Sequence, residues 1–220
     1  TINDNGSTTL GTEYNWTEAT TSGMANTSTT RAIVDIGGQC WMRYNMNVIP
    51  SNFNPAPTWN NGSDVGWSGY YTGGPFANEG LLYQWKAVMN NSTTERAQGI
   101  CPSGWHIPSD CEWMYLENTL GMSTTNQQAT GFRTSGDVGY DLSSAVTSGT
   151  NNSGFTGLLA GHRHPLGGFL SRTSRGYWWS SSATGATTAS LRGLHTGTRG
   201  VGRPTSYVKA YGYSVRCLKD

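Results

Sequence analysis

The chain has 220 residues, enough for one domain, or for one domain with an arm, and enough to bury a sizeable core. Only 12% of the residues are charged, whereas Gly, Ser, Thr and Asn are abundant and nine Trp and eleven Tyr supply bulky side chains. This composition is typical of a loop-rich, extracellular, β-containing domain. It excludes a disordered chain and argues against a helical cytosolic enzyme.

The net charge of +1 hides a difference between two parts of the chain. Residues 1–160 carry five Lys/Arg and twelve Asp/Glu, whereas residues 161–220 carry nine Lys/Arg and one acidic residue. Either the two parts pack together and neutralise each other, or the basic part presents a face to an anionic partner. Because there is no Lys/Arg run and no aromatic-basic repeat, we expect no binding to nucleic acid. No apolar run approaches the ~20 residues of a membrane span, so we expect no direct insertion into a membrane.

In chain order, the first segment is residues 1–30, a Thr-, Asn- and Ser-rich stretch that we interpret as a linker, a mobile arm or a docking strand. Residues 31–48 predict a β-hairpin, because an apolar run leads into a Gly37-Gly38 turn and a second strand follows. Residues 49–79 predict a long loop, rich in Pro, Gly, Asn and Trp, that its own aromatic side chains could hold down.

Two helices are predicted. Residues 79–90 place apolar side chains at helical i, i+3, i+4 and i+7 spacings. Residues 108–121 contain Ser109 and Glu112, which form an S-x-x-E capping box, and end at Gly121, which suits the left-handed conformation that follows many helices. Beyond this point no helix is predicted, and short strands and turns run to the end of the chain.

The four cysteines are an even number, but sequence alone leaves three pairings open. None forms a C-x-x-C motif and no histidine stands at zinc-ligand spacing, so we expect no zinc site. His162 and His164 alternate as a strand would place them, but two histidines without a third ligand make a weak site, and we expect no metal there. His106 precedes a predicted helix and is expected to make a structural hydrogen bond.

Six motifs occur in an order and spacing that resemble the Fibrobacter succinogenes major paralogous domain family. They are IGGQCWMRYNMNV, GLLYQWKAVMN, GICPSGWHIPSDCEWMYLENTLG, NNSGFTGLLAGHRH, GYWWSSS and YGYSVRCLKD. The resemblance covers roughly residues 31–220, which we take as the domain, with residues 1–30 as an arm or linker. Such domains are found on secreted and surface proteins of Bacteroidetes-like bacteria. The resemblance therefore implies an extracellular location or one on the bacterial outer surface.

This family is similar to a branch of the C-type lectin fold, that of the formylglycine-generating enzyme. The resemblance implies an α+β fold in which two helices pack on a small twisted antiparallel sheet with long irregular loops. It also implies a Cys101–Cys217 disulfide, since these residues match the family's usual cysteines. Cys40 and Cys111 stand where the family usually has other residues, and because they occur together we expect them to bond to each other.

We expect no enzymatic activity and no catalytic residues. There is no G-x-S-x-G motif, and acidic residues are nearly missing from the C-terminal third, so neither an activated nucleophile nor a carboxylate pair can be proposed there. Fold relatives that oxidise a substrate cysteine use two reactive cysteines near the C-terminus, where this chain has only Cys217. We expect no cofactor. Calcium-dependent lectins of this fold use a Glu/Gln-Pro-Asn/Asp triplet that this chain lacks, and calcium in the 49–79 loop is left as an outside alternative.

Residues 183–211 are expected to carry the binding face. The positions that fit the family's fixed residues are interpreted as the scaffold of this face, supported by two tryptophans: Arg192, Leu194, Val201, Arg203, Trp178 and Trp179. Because strand residues alternate, Leu194 is expected to point inward and Gly193 and His195 outward. The residues expected to contact a ligand are Gly193, His195, Thr196, Gly197, Arg199, Gly200, Gly202, Thr205, Ser206 and Tyr207.

These features predict a surface-exposed, adhesin-type binding module whose partner is a protein or glycan on a host, bacterial or phage surface. The binding face is either an ordinary lectin-like loop or one diversified by a retroelement. Adenine-directed mutation cannot produce Gln, Glu, Met or Trp, and residues 183–211 contain none of these. The alternative is a structural or tip subunit of a surface appendage, in which residues 1–30 contact a neighbouring subunit. A third function, a formylglycine-generating-type oxidase, would need a metal and a free thiol.

Overall fold

The computed structural model describes the backbone of residues 2–7 and the whole of residues 10–220. Within these residues the chain is an α+β fold, made mostly of antiparallel sheet with short α-helices. The strands are β1 (Ile2–Ser7), β2 (Thr12–Trp16), β3 (Ile33–Ile36), β4 (Gln39–Met42), β5 (Ser68–Gly69), β6 (Leu82–Tyr83), β7 (Trp105–His106), β8 (Gly131–Arg133), β9 (His162–Arg163), β10 (Phe169–Leu170), β11 (Arg175–Ala183), β12 (Thr188–His195), β13 (Val201–Arg203), β14 (Tyr207–Val208) and β15 (Leu218–Lys219). The helices are α1 (Trp85–Val88), α2 (Asp110–Thr119), α3 (Thr124–Gln128) and α4 (Val138–Leu142). In the part of the chain that is described, no helix combines the length and apolarity that a bilayer crossing requires.

The first sheet has the strand order β1-β2-β3-β4-β15-β7. The predicted hairpin is confirmed: β3 pairs with β4, and Gly37 and Gly38 both have positive φ, 63° and 87°, which a tight two-residue turn requires. The last strand, β15, lies between β4 and β7, so the C-terminal end of the chain closes against its N-terminal half.

Residues 1–30 contribute two strands to the first sheet, and their interpretation as a linker, arm or docking strand stays a prediction. β2 pairs with β3, and the nearly buried carboxylate of Glu13 accepts ion pairs from Arg31 at 3.2 Å and Arg43 at 3.1 Å. Trp16 is buried and lies 4.9 Å from the ring of Trp105. What the interpretation says of residues 1, 8 and 9, and of the side chains of residues 2–7, lies outside the described residues.

The second sheet has the order β11-β12-β13-β8, and β14 continues β13 along the same edge of β12. The side chains of β11 and β12 alternate between two core clusters. Trp179 and Leu191 lie in the first cluster, together with Met42 of β4. Trp178 and Leu194 lie in the second. The two predicted supporting tryptophans are therefore both buried, but they point to opposite sides of the sheet.

The predicted helix over residues 79–90 is wrong in its extent. Only Trp85–Val88 are helical, and Leu82–Tyr83 form a strand that pairs with β5. Gly80, with φ of 72°, has a left-handed backbone that interrupts any helix upstream, and Asn90 and Asn91, with φ of 48° and 70°, end it downstream. The apolar spacing was real, but it reflects a segment that is buried on several sides rather than one helical stripe.

The predicted helix over residues 108–121 is confirmed as α2. Ser109 accepts a hydrogen bond from the backbone of Glu112, whose side chain accepts from the backbone of Ser109, which is the expected capping box. Gly121 has φ of 98°, as expected after a helix end. The expectation of no later helix is wrong, because α3 and α4 follow. Both are five-residue helices too short for a periodic pattern to reveal.

Aromatic residues hold the long 49–79 loop, as predicted. The guanidinium of Arg163 lies 4.1 Å from the ring of Trp59 and 4.4 Å from that of Trp67. The indole N–H of Trp59 donates to the carbonyl of Pro165 at 3.2 Å, which ties this loop to the turn after β9. His106 makes the expected structural contacts, with ring nitrogens 2.6 Å from Asp220 Oδ1 and 3.0 Å from a Glu112 carboxylate oxygen.

The disulfide prediction is half right. Cys101 and Cys217 are bonded, with a sequence separation of 116 residues. Cys40 and Cys111 are both free, so the second predicted disulfide is wrong. Cys40 packs against the first core cluster, whereas α2, which carries the exposed Cys111, packs its apolar residues with Trp41 in the second cluster. Neighbouring residues of a strand point to opposite faces, so the two thiols lie on opposite sides of β4.

Candidate functional site on the second sheet

A row of four directly paired residues crosses the second sheet from edge to edge. Tyr177 of β11 pairs with Gly193 of β12, Gly193 pairs with Gly202 of β13, and Gly202 pairs with Phe132 of β8. Paired residues of antiparallel strands project to the same side of the sheet. The row therefore presents an aromatic ring, two glycines and a second aromatic ring on one face.

The two glycines are needed because the rings lie over them. A Cβ atom on Gly193 would sit 3.0 Å from ring carbons of Tyr177, and one on Gly202 would sit 3.3 Å from the ring of Phe132. Tyr177 is itself nearly buried, at 7% exposure, whereas Phe132 is 49% exposed. The result is a shallow surface with few protruding side chains, on which the Phe132 ring is the most exposed apolar group of the row.

Nitrogen donors border this row at the end of β12. Arg175 pairs with His195 across β11 and β12, and its guanidinium donates to the hydroxyl of Tyr177 at 3.3 Å. The imidazole of His195 lies 6.3 Å from the Phe132 ring in an edge-to-face arrangement, and its Nδ1 accepts a hydrogen bond from the backbone of Gly197. This bond fixes Nδ1 as an unprotonated acceptor and leaves Nε2 as the N–H donor of the neutral ring.

Tyrosine rings extend the surface of this row beyond Tyr177, away from Phe132. Tyr207 and Tyr211 lie 5.2 Å apart, and Tyr211 stacks on Tyr213 with a centroid distance of 5.3 Å. Burial, together with the neighbouring phenols, raises the pKa of Tyr211, which therefore stays neutral and can donate its hydroxyl proton. We call the surface that these groups form the aromatic face; its members are Phe132, Arg175, Tyr177, Gly193, His195, Gly202, Tyr207 and Tyr211.

His162 lies beneath this face, between Tyr177 at 5.5 Å and Tyr211 at 5.8 Å. Burial, then the charges of His164 and Arg175, lower the pKa of His162 to about 4, so the ring is neutral at physiological pH. Its Nδ1 is buried without a hydrogen-bond partner among the described residues. The position that sequence analysis considered for a metal is therefore an uncharged ring packed among tyrosines.

The reverse side of the same sheet is fastened to α2 by buried ion pairs. Glu117, fully buried, accepts two hydrogen bonds from Arg133 at 2.6 and 2.7 Å and one from Arg192 at 2.6 Å. A bidentate arginine–carboxylate contact fixes the orientation of the two groups as well as their distance. Glu117 thus holds β8 and β12, the strands that carry Phe132 and Gly193, in one position relative to α2.

A second carboxylate completes this network. Asp110 accepts from Arg192 at 2.6 Å and from Arg203 at 2.5 and 3.1 Å. Burial by itself raises the pKa of Asp110, but the hydrogen bonds from Arg203 and the charge of Arg192 outweigh it and lower the pKa below its usual value. These pairs join the acidic and basic parts of the chain, which agrees with the interpretation that the two parts pack together and neutralise each other.

The predicted scaffold residues all lie behind the face or within the core. Arg192 and Arg203 belong to the ionic network, and Leu194 and Val201 lie in the second core cluster. As predicted, Leu194 points inward, and Gly193 and His195 lie on the opposite face of β12. The prediction that Gly193 is accessible to a ligand is wrong, because the Tyr177 ring covers it.

The ten predicted ligand residues fall into three groups. Gly193 and Gly202 lie in the central row and are buried under its rings. Thr205, Ser206 and Tyr207 lie where β13 passes into β14 and are half-buried or exposed. The remaining residues are the last residue of β12 and four residues of the turn after it, of which Gly200 is buried and the others are accessible: His195, Thr196, Gly197, Arg199 and Gly200. Arg199 points away towards Asp137, 3.4 Å from its carboxylate.

Sequence analysis missed the part of the face that comes from outside residues 183–211. Phe132 and Arg133 belong to β8, where nothing in the polar surrounding sequence indicated a strand. Tyr177 was recognised as part of a strand, but its role required knowing that a glycine pairs with it. The sequence signal for the orientation of Tyr177 was strand alternation, which places Tyr177 on the face of the sheet opposite to its neighbour Trp178.

Among the residues that the structure describes, there is no group of three or more His, Cys, Asp or Glu side chains that could hold a metal ion. The aromatic face itself offers ring surfaces and N–H and O–H donors, but no carboxylate.

The family model of the Fibrobacter succinogenes major domain matches residues 34–219. The chain therefore belongs to this family. No curated protein and no solved structure matches the chain.

Proposed function

We propose that the chain is a ligand-binding module of adhesin type, displayed on the outer surface of a bacterium, that holds a protein or glycan partner on its aromatic face. The observation that carries this proposal is the row in which Tyr177 and Phe132 lie over Gly193 and Gly202, with the Phe132 ring exposed at the edge of the sheet. The half-exposed ring of Phe132 serves no core, yet it is held in place by the strand pairing behind it.

The aromatic face has the composition of a recognition surface. Tyrosine and arginine are enriched in binding hot spots, and tyrosine brings a large contact area and a polar tip at a low entropic cost. Here Tyr207 and Tyr211 supply such rings, and Arg175 and His195 supply donors beside them. Large rings and N–H donors suit both the apolar face of a sugar ring and a protein surface.

The ionic network supports this function through rigidity. A binding surface that is already ordered loses less entropy when a partner docks. Glu117 and Asp110 lock the strands behind the face to α2, so substitutions on the face need not alter the backbone. We propose on this basis a C-type-lectin-like division of the chain, in which the back of β12 and β13 is fixed and the accessible positions in front, such as His195, are free to vary.

We further propose that a diversity-generating retroelement has varied the front positions of residues 183–211. The alternation of Arg192 and Leu194 behind the face with Gly193 and His195 in front of it supports this proposal. A reverse transcriptase gene near the coding sequence, with an adenine-rich template repeat of this region, is the expected finding. A template that varies Arg192 or Leu194 as freely as His195 would contradict it.

The experiment for the binding function applies fluorescently labelled protein to a glycan array and to a panel of intact bacterial and mammalian cells. Phe132→Ala is compared with Tyr115→Ala, which removes an aromatic ring of similar exposure, 52%, from the exposed side of α2. We expect binding that Phe132→Ala removes and Tyr115→Ala preserves. No binding to either panel, or equal loss in both variants, would contradict the proposal.

A further inference from the structure

A second concave surface lies on the other side of β14 from the aromatic face. It is a groove of about 540 Å³ between the middle of the 49–79 loop, the start of α1, residues 91–93 and the β11–β12 turn. Val208 lines the groove, whereas its strand neighbour Tyr207 packs with the tyrosines of the aromatic face. A volume of this size lies within the range that holds small ligands, roughly 300 to 1,000 Å³.

The wall of the groove contains a carboxylate with unused hydrogen-bonding capacity. Asp64 accepts one hydrogen bond on each oxygen, from the backbone of Lys86 at 2.9 Å and from that of Gly66 at 3.3 Å. No cation lies within ion-pair distance of it among the described residues, although an ionised carboxylate can accept about four hydrogen bonds. Two acceptor positions on Asp64 therefore remain for a ligand.

Two amines flank this carboxylate without pairing with it. The amine of Lys209 lies 4.0 Å from the Trp85 ring and donates to the carbonyls of Gly185 and Ala186. These contacts leave it one free N–H. Lys86, which is exposed, is the second amine on the rim. The groove thus brings together one acceptor group and two amine donors.

The rest of the lining is uncharged. Small apolar groups and hydroxyl or amide side chains make up the remaining lining: Gly62, Ser63, Asn91, Ser92, Thr93, Ala186, Thr187, Val208 and Ala210. The fully buried amide of Gln84 donates to the carbonyls of Ser63 and Ala210 and accepts from the backbone of Val65 and Trp67. This one side chain therefore ties the 49–79 loop to the segment after β14 at the groove.

We propose that this groove binds a single sugar unit, free or at the end of a glycan, with the Asp64 carboxylate accepting two neighbouring hydroxyls and the lysines donating to others. A carboxylate, several neutral hydrogen-bonding groups and a small apolar surface match the alternating hydroxyl and C–H groups of a sugar. An amino acid fits less well, because its carboxylate would find only the rim amine of Lys86 free, while Lys209 already donates to two carbonyls. The site is independent of the aromatic face and needs no metal.

This site has a defined pH dependence. Burial raises the pKa of Asp64 to about 6, although the backbone hydrogen bonds and the charges of Lys86 and Lys209, the charged groups that act on it, lower the pKa in part. Asp64 already accepts two backbone hydrogen bonds, and it has the capacity to accept two more from sugar hydroxyls when it is ionised. Binding is therefore strong above pH 6 and weakens as the pH falls through this value.

The test is saturation-transfer NMR with glucose, galactose, mannose and N-acetylglucosamine at about 10 mM each, and with glycine and diglycine as amino-acid probes. We expect at least one sugar to bind, with an affinity that Asp64→Asn lowers by about tenfold or more, the equivalent of one charged hydrogen bond. Ala186→Trp, which fills the groove from an exposed turn, should abolish the signal. The matched control Asp137→Asn, an exposed acid just before α4 that pairs with Arg199 in the turn after β12, should not change it.

Two further measurements of sugar binding, one in a variant of the aromatic face and one at a lower pH, test the proposal separately from the proposed function. Phe132→Ala should leave sugar binding intact, so that failure of the aromatic face and failure of the groove are distinguished. Repeating the titration at about pH 7.5 and about pH 5 should show weaker binding at the lower pH in the wild type and no change in Asp64→Asn. If no sugar binds, if Ala186→Trp leaves binding unchanged, or if only the amino-acid probes bind, the proposal is wrong.

Discussion

The buried carboxylate of Glu117 should be the most sensitive single position behind the aromatic face. Its replacement by glutamine keeps the volume of the side chain but removes the charge that compensates Arg133 and Arg192. Both guanidinium groups are almost completely buried, with side chains only 2% exposed, so water cannot replace the lost partner. Arg192 retains Asp110, but Arg133 keeps only backbone carbonyls.

The expected cost follows from this geometry. Removing one partner of a buried ion pair costs about 3–5 kcal/mol, because an uncompensated charge is left in the interior. For a chain of this length, each kcal/mol shifts the midpoint of thermal unfolding by about 2–4 °C, so we expect Glu117→Gln to lower it by about 6–20 °C.

Chemical denaturation with guanidinium chloride, under non-reducing conditions, measures the change in the free energy of unfolding. Asp137→Asn is the matched control, because it removes a carboxylate from an ion pair with Arg199 in which both side chains are more than half exposed. We expect the control to lose less than about 1 kcal/mol. A loss of less than about 1 kcal/mol for Glu117→Gln as well would refute the reasoning that buried charges fasten the sheet to α2.

Three other predictions follow from the structure. Leu194→Ala should destabilise the fold by about 2–5 kcal/mol, whereas His195→Ala, one residue along the strand, should cost less than about 1 kcal/mol in the same denaturation experiment; equal costs would contradict the division into back and front. Cys111 should react with iodoacetamide in the native protein, whereas Cys40, whose thiol pKa burial raises to about 11, should react only after unfolding. Detection by mass spectrometry of a disulfide-linked Cys40–Cys111 peptide would contradict this prediction. Burial by itself lowers the pKa of His106, but hydrogen bonds to two carboxylates raise the pKa overall. The contribution of His106 to the stability of the fold is therefore complete below its unfolded pKa of about 6.5 and is lost as the pH rises through its folded pKa. His106→Asn should remove this part of the pH dependence of the free energy of unfolding.

Local chemistry explains what could be predicted from the sequence. The Gly37-Gly38 turn and the capping box of Ser109 and Glu112 are short-range devices, and the structure contains both where they were expected. Strand alternation around Leu194 is equally local, and it placed this residue on the correct side. Such features need no knowledge of what packs against them.

Long-range packing explains what could not be predicted. The apolar spacing in residues 79–90 suggested a helix, because a segment buried on several sides has the same pattern as an amphipathic one. The partners of Arg192 lie on α2, about 80 residues away, and no pattern in the sequence indicates them. Phe132 reaches the face only because β8 pairs with β13, and a pairing between such short strands is invisible until the fold is known.

The most direct measurement of the central claim is the affinity for the strongest array or cell-surface ligand in three proteins: wild type, Phe132→Ala and Tyr115→Ala. Truncation of an aromatic hot-spot residue costs about 2 kcal/mol or more, so Phe132→Ala should raise Kd by about thirtyfold, and Tyr115→Ala should leave Kd within about twofold of the wild type. An unchanged Kd in Phe132→Ala, with the fold intact, would contradict the claim that the aromatic face is the binding surface.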